Sequence, residues 1–244
     1  MADFTEKNRQ YFDQKAAAYK TEFAEVTKRL AKETGDRRHW ISSKWTDTDA
    51  GKGQEIKLLE YACGPGTVSL TLEPFVTKVV GLDISDNMIA EFNKNAREAG
   101  VSPEKMIGLK GDLLAETLPK HLSEPSFFDF DIVAVSFALH HFADPELAMK
   151  RLGDRLKKGG VCLIVDFVSD LGHHHGHDEI HEHNPEAAAT IKKHGFTQDE
   201  IRKLYEDAGL SARFDYETVE EPVEFVMKDR SFKRKMFIAR GERV

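Results

Sequence analysis

The run Leu58-Leu59-Glu60-Tyr61-Ala62-Cys63-Gly64-Pro65-Gly66-Thr67-Val68-Ser69 reads as an apolar strand, a tight glycine turn and the start of a helix. Glycines at 64 and 66 let the backbone bend there and let a ligand approach the main chain with no Cβ in the way. A second apolar run, Val79-Val80-Gly81-Leu82-Asp83, ends in an acid 19 residues after Gly64. A carboxylate at that spacing reaches a ribose diol, so the two features together point to a nucleoside-containing cofactor. A nicotinamide dinucleotide would prefer a third glycine or alanine at position 69 to pack helix against sheet, and the residue there is Ser69. A short-chain dehydrogenase would also need a Tyr-x-x-x-Lys dyad late in the chain, and that spacing occurs only at Tyr11 and Lys15, upstream of the loop. An NAD(P)-dependent oxidoreductase therefore stands as the alternative reading.

Proton transfer near neutral pH is the province of histidine, whose unperturbed pKa is about 6.5. His140 and His141 follow a fourth apolar run in Ser136-Phe137-Ala138-Leu139-His140-His141-Phe142, and His194 sits in Lys193-His194-Gly195-Phe196. All three are candidate catalytic bases. Of the 11 histidines, six fall between His173 and His183. Their surplus, flanked by Gly172 and Gly176, predicts a mobile insertion over 170–184 with adventitious metal affinity; no working metal site is expected. Cys63 and Cys162 lie far apart inside apolar runs, which excludes a disulfide framework and a cysteine zinc site.

These residues need a scaffold, and the pattern supplies an α/β one. Short apolar runs predict strands at Ile56–Ala62, Lys78–Asp83, Met106–Lys110, Asp129–Phe137 and Val161–Phe167, then Ala212–Val219 and Ser231–Arg240. Helices are predicted between them at Val68–Phe75, Asp86–Gly100 with Asp86 as N-cap, Pro145–Lys157 stopped by Gly159-Gly160, and from the capping-box run Thr197-Gln198-Asp199-Glu200 to Gly209. Alternation of this kind signals repeated βαβ units and a mostly parallel sheet. Residues 3–33 carry aromatics at helical spacing and predict one or two amphipathic helices. We therefore divide the chain into an N-terminal helical lid over 1–54 and a cofactor-binding domain over 55–244.

Length and charge narrow the class. The chain has 244 residues, enough for one α/β domain with extensions. A net charge of −7 argues against a general nucleic-acid binder, which needs a basic face. No apolar run reaches the ~18–20 residues of a membrane span, and Met1-Ala2-Asp3-Phe4-Thr5-Glu6 lacks the features of a secretion signal. A soluble, cytoplasmic protein is expected.

Glu60–Gly66, Gly81-Leu82-Asp83-Ile84-Ser85 with Met88, Gly111-Asp112-Leu113 and Lys158-Gly159-Gly160 closely resemble, in order and spacing, the successive motifs of class I S-adenosylmethionine-dependent methyltransferases of the small-molecule type. The resemblance covers about residues 56–167, with a looser likeness to fungal small-molecule and quinone-biosynthesis enzymes. It implies a Rossmann-like, seven-stranded, mostly parallel sheet with an antiparallel last strand and helices on both faces. It further implies that Glu60 holds the methionine amino group, helped by the backbone at Ala62, Gly64 and Gly66. Asp83 would take the ribose, Ile84 and Met88 the adenine ring, Asp112 with Leu113 its exocyclic amine, and Phe137 and Ala138 the methionine end. Ala62 departs from the pattern, replacing its first glycine. The acceptor is expected to be a small molecule (a thiol, a phenol or quinone precursor, or another metabolite). Tyr11, Tyr19, Trp45, His141 and His194 are its candidate contacts. A non-catalytic, partner-binding relative of such enzymes is the third reading.

Overall fold

A computed structural model describes residues 2–169, 185–227 and 230–244. Three helices lead the chain: α1 (Ala2–Glu22), α2 (Ala24–Asp36) and the short α3 (Arg38–Ile41). The alternating part follows as β1 (Lys57–Tyr61), α4 (Thr67–Leu72), β2 (Lys78–Asp83), α5 (Asp86–Glu98), β3 (Met106–Lys110), β4 (Phe130–Ser136), α6 (Pro145–Arg155) and β5 (Leu156–Phe167). After the histidine-rich stretch, which lies outside the described residues, come α7 (Pro185–Ala188), α8 (Gln198–Asp207), β6 (Ala212–Thr218), β7 (Val223–Met227), β8 (Arg230–Arg234) and β9 (Met236–Glu242).

Seven strands form one sheet in the order β3-β2-β1-β4-β5-β9-β6, while β7 and β8 pair as a separate hairpin. Strands β1 to β5 run parallel, and β9 runs antiparallel to both neighbours, β5 and β6. The chain order 3-2-1-4-5 reverses direction between β1 and β4, which opens a crevice at their carboxyl ends.

Strand alternation sends side chains to two cores. Leu59, Tyr61, Val133, Val135, Cys162 and Ile164 pack on one face with α6 and α8 residues such as Leu152 and Tyr205. Leu58, Ile132, Ala134, Leu163 and Val165 pack on the other with Phe92 of α5 and with Val26 and Leu30 of α2. Both faces are covered, so the central strands read as continuous apolar runs.

Apart from shifts of one or two residues at element ends, four boundaries differ from those predicted, and β7 lies where no strand was predicted. The helix from Val68 shortens to α4, followed by a 3-10 turn over Glu73–Phe75, because Pro74 cannot extend the helical hydrogen bonding. Ser85, not Asp86, caps α5: its side chain accepts from Met88 N–H at 3.1 Å. The third helix stops at Arg155, and Gly159-Gly160 instead sit in an irregularity of β5 between the Phe130–Leu156 and Ile132–Val161 pairs. A Cβ on Gly160 would lie 2.9 Å from the backbone oxygens of Lys157 and Phe130. The last predicted strand divides at Lys235 into β8 and β9, since β9 begins opposite Phe167, where β5 ends. The capping box at Thr197 and Glu200 forms as expected. Among the described residues no helix is long and apolar enough to cross a membrane.

Candidate active site

The crevice beyond β1, β2 and β4 is a pocket whose wall includes Ala62, Gly64, Asp83, Ile84, Met88, Asp112, Phe137, Ala138 and His141, nine of the residues singled out in the sequence. Helix α1 lies across it and contributes Thr5, Asn8, Phe12 and Tyr19, which fall on one helical face. A clasp at Asp13 ties α1 to the start of α5. Asp13 Oδ1 accepts from the Ser85 hydroxyl at 2.6 Å and from Asn87 N–H at 3.2 Å, and Asn87 Nδ2 donates to the Asp13 carbonyl at 3.0 Å.

The glycine turn is held by carboxylates from beneath. Asp83 Oδ2 accepts from Gly64 N–H and its Oδ1 from Ser85 N–H, both at 2.9 Å. Burial pushes the Asp83 carboxyl up to about 6, against the pull of those two donors. Glu60 is 1% exposed and is not in the pocket wall; its Oε2 accepts from Ser69 N–H at 2.8 Å, inside the first turn of α4. Its carboxyl rises to about 7, again through burial. Two non-glycine residues of the wall, Ala62 (φ 53°) and Phe137 (φ 48°), adopt left-handed backbone, a strain that concentrates at ligand-binding edges. Phe137 is braced from behind by Phe167, stacked at 4.8 Å.

Asp112 Oδ1 accepts from Tyr61 Oη at 3.0 Å and from Leu114 N–H at 2.7 Å. This turn puts Leu114 in the wall and sends Leu113, 1% exposed, into the core. The two adjacent histidines part in the same way. His141 lines the pocket, edge-on to Phe12 at 5.2 Å, with Nδ1 2.7 Å from the Thr190 carbonyl. A carbonyl only accepts, so Nδ1 carries the proton and Nε2 keeps the lone pair. Burial, then the neighbouring His140, holds His141 well below the ordinary histidine range. His140 is outside the wall, its Nδ1 2.7 Å from Asp166 Oδ1 in the interior.

Four other expected contacts are displaced. Trp45 is fully buried in the core opposite α6, its indole N–H donating to the Ser42 and Arg38 carbonyls. Tyr11 packs edge-on to Phe12 at 5.2 Å and is not part of the pocket wall. His194 stands outside the wall, its carbonyl accepting from Arg234. Gly66 lies behind the loop: with φ 87°, a Cβ there would come within 2.7 Å of the Phe92 ring, so glycine serves packing.

The wall also holds Thr5, Asn8, Tyr61, Leu114, Ser136, Phe142, Ala143, Asp144 and Leu147, none of which was predicted. For Thr5 and Asn8 the signal was their spacing with Phe12 and Tyr19, masked by the charged residues between them. Asp144 was legible only as the residue before Pro145; its Oδ1 caps α6, accepting from Leu147 N–H at 2.9 Å. Among the described residues the wall contains three carboxylates and no lysine or arginine.

The model of a family described as a methyltransferase domain matches residues 13–213. An uncharacterized methyltransferase of Schizosaccharomyces pombe is 30% identical over 66% of this chain and 55% of its own length. A ubiquinone/menaquinone biosynthesis C-methyltransferase of Blochmanniella pennsylvanica is 36% identical over 45% of this chain and 41% of its own. The chain thus spans about half the length of the curated relatives it matches. The magnesium protoporphyrin IX methyltransferase of Synechocystis, solved with bound S-adenosylhomocysteine, superposes at a TM-score of 0.65 over 99% of this chain and all of that one, at 15% identity. With the reversed strand order, the loop after β1 and the acid ending β2 in place, the chain belongs to the methyltransferase-domain family.

Proposed function

We propose that the protein transfers a methyl group from S-adenosylmethionine to a small-molecule acceptor held under α1. The observation that carries this reading is Asp83: a carboxylate in the pocket wall at the end of β2, tied through Gly64 N–H to the turn after β1. The cofactor would supply an activated methyl carbon on a sulfonium cation. A wall with Asp83, Asp112 and Asp144 and no described cation suits that charge, and the left-handed Ala62 turn leaves main chain open to its amino-acid end.

In this assignment Asp83 accepts the ribose hydroxyls, Ile84 and Met88 flank the adenine, and Asp112 takes its amine. Ala62, Gly64, Phe137 and Ala138 border the methionine end. Glu60 acts through the loop, holding the first turn of α4. His141 is the base: neutral at physiological pH, fixed as the tautomer with a free Nε2, it takes the acceptor's proton as the new bond forms. Positioning carries much of the rate, since the methyl is already activated. The lid role belongs to α1, whereas α2 and the Trp45 segment are part of the core. Relatives named as quinone methyltransferases support a ring-bearing acceptor. Two buried free thiols, Cys63 and Cys162, favour a reducing, cytoplasmic setting.

Calorimetry with S-adenosylmethionine tests the cofactor reading. Asp83→Asn is expected to weaken binding by about 1.5–3 kcal/mol, the range for losing a charge-assisted hydrogen bond. Unchanged affinity in the folded variant would remove the ribose assignment.

A further inference from the structure

The side-chain oxygen of Asn8 is a polar atom of the pocket residues with no role in the assignment above. Asn8, on the pocket face of α1, is 5% exposed. Its Nδ2 donates to the Phe4 carbonyl at 3.1 Å, and because a carbonyl cannot donate, the amide orientation is fixed with Oδ1 turned away. Oδ1 is shielded from water and has no hydrogen-bond partner. A buried acceptor left unpaired is costly, and a turn of the Asn8 side chain that brings Oδ1 to the pocket surface would let a ligand carrying a donor relieve it.

Position along α1 says which ligand. Tyr19, whose hydroxyl is pushed up to about 12 by burial and then by the charge of Asp83, marks the end of the helix over the cofactor half. Asn8 lies 11 residues back, roughly 16 Å along the axis. It is one turn from Phe12, which touches His141. Asn8 therefore belongs to the half of the pocket that holds the base. That half offers aromatic rings (Phe12, Phe142, His141), the carboxylate of Asp144, and no described lysine or arginine. Arg234 is not part of the wall; its guanidinium lies over the Phe167 ring at 4.7 Å.

We infer that Asn8 Oδ1 receives an N–H or O–H of the methyl acceptor, and that the acceptor is an aromatic, donor-bearing molecule without an anionic group. The inference rests on the methyltransferase reading of this pocket. It narrows the acceptor classes by charge: beside Asp144, and with no described lysine or arginine in the wall, a carboxylate or phosphate substituent would be desolvated with no partner.

The test uses the full chain loaded with S-adenosylhomocysteine and matched pairs of probes: catechol against 3,4-dihydroxybenzoate, and phenol against 4-hydroxybenzoate. Binding is measured by calorimetry for the wild type and for Asn8→Leu. The uncharged member of each pair is expected to bind the loaded protein about ten-fold or more tightly than its carboxylate. Asn8→Leu is expected to weaken that binding about ten-fold, the upper range for one neutral hydrogen bond, while leaving the affinity for S-adenosylhomocysteine within about two-fold. It is also expected to raise the melting temperature of the ligand-free protein, because it removes an unpaired buried oxygen; a merely structural Asn8 would give the opposite sign. Preference for the carboxylates, no binding of any uncharged probe, or full probe affinity in Asn8→Leu would overturn the inference. Failure of the wild type to bind S-adenosylhomocysteine would overturn the cofactor reading itself, and is seen before any probe is added.

Discussion

Two neighbouring histidines with the same backbone context have opposite environments. The 3-10 turn over Leu139–His141 points His140 inward to Asp166 and His141 outward to Phe12. No periodicity separates adjacent residues in a single 3-10 turn, so the sequence presents both as equal candidates for a base. The structure separates them by what each Nδ1 meets: a carboxylate for His140 and a carbonyl for His141. His141→Gln is accordingly expected to lower kcat by about 10²–10⁴-fold, the usual contribution of a positioned base, with cofactor affinity unchanged. Because its pKa is depressed, the acid limb of kcat/KM for the acceptor, with S-adenosylmethionine saturating, should fall below the ordinary histidine value. An acid limb centred at about pH 6.5 or above would show that another group titrates. His140→Gln should instead act through stability, since it disturbs the buried Asp166, which also accepts from the Phe167 N–H at 2.7 Å.

The elements hold the site by their ends. Strand β2 delivers Asp83, Ser85 caps α5 two residues later, and Asp13 of α1 docks on that same cap. The Asp13→Ala variant should leave the sheet intact but release α1. The expected result is a loss of about 1 kcal/mol, as for an N-cap, a clear rise in acceptor KM and faster hydrogen exchange confined to α1. Unchanged exchange in α1 would mean that its apolar face alone keeps it in place. The βαβ part of this scaffold is plain in the sequence, since strand periodicity, caps and turn glycines agree there. Long-range pairing hides what lies outside it. Trp45 looks like a pocket aromatic until α2 and Phe75 are seen to enclose it, with ring centroids 6.4 Å apart for the Trp45–Phe75 pair. Likewise β8 and β9 cannot be told from one extended run, because only the position of β5 dictates where β9 begins.

For the whole molecule, the two buried carboxylates beneath the turn couple cofactor binding to stability through pH. Asp83 moves from 3.8 to about 6 on folding and Glu60 from 4.5 to about 7, both through burial. These are acids with raised folded values, so between about pH 4 and 7 the folded state holds more protons than the unfolded one. Stability then decreases as pH rises through that window, a tenfold change in a group's acidity on folding corresponding to about 1.4 kcal/mol. A bound sulfonium cation reverses this, because it favours the ionised carboxylates and drives their protons off. Ligand-free protein should therefore melt at higher temperature at about pH 5.5 than at about pH 7.5, by less than the two carboxylates alone would give, because His141, held below the ordinary histidine value, works in the opposite direction. The upward shift caused by S-adenosylmethionine should grow over the same interval, and binding at about pH 6.5 should release protons, seen as a dependence of the calorimetric heat on buffer ionisation enthalpy. In Asp83→Asn both the pH slope and the proton release should shrink, leaving the part due to Glu60. If the slope were unchanged, the titrating group would lie elsewhere, and the acidic floor under the loop would be structural rather than part of cofactor recognition.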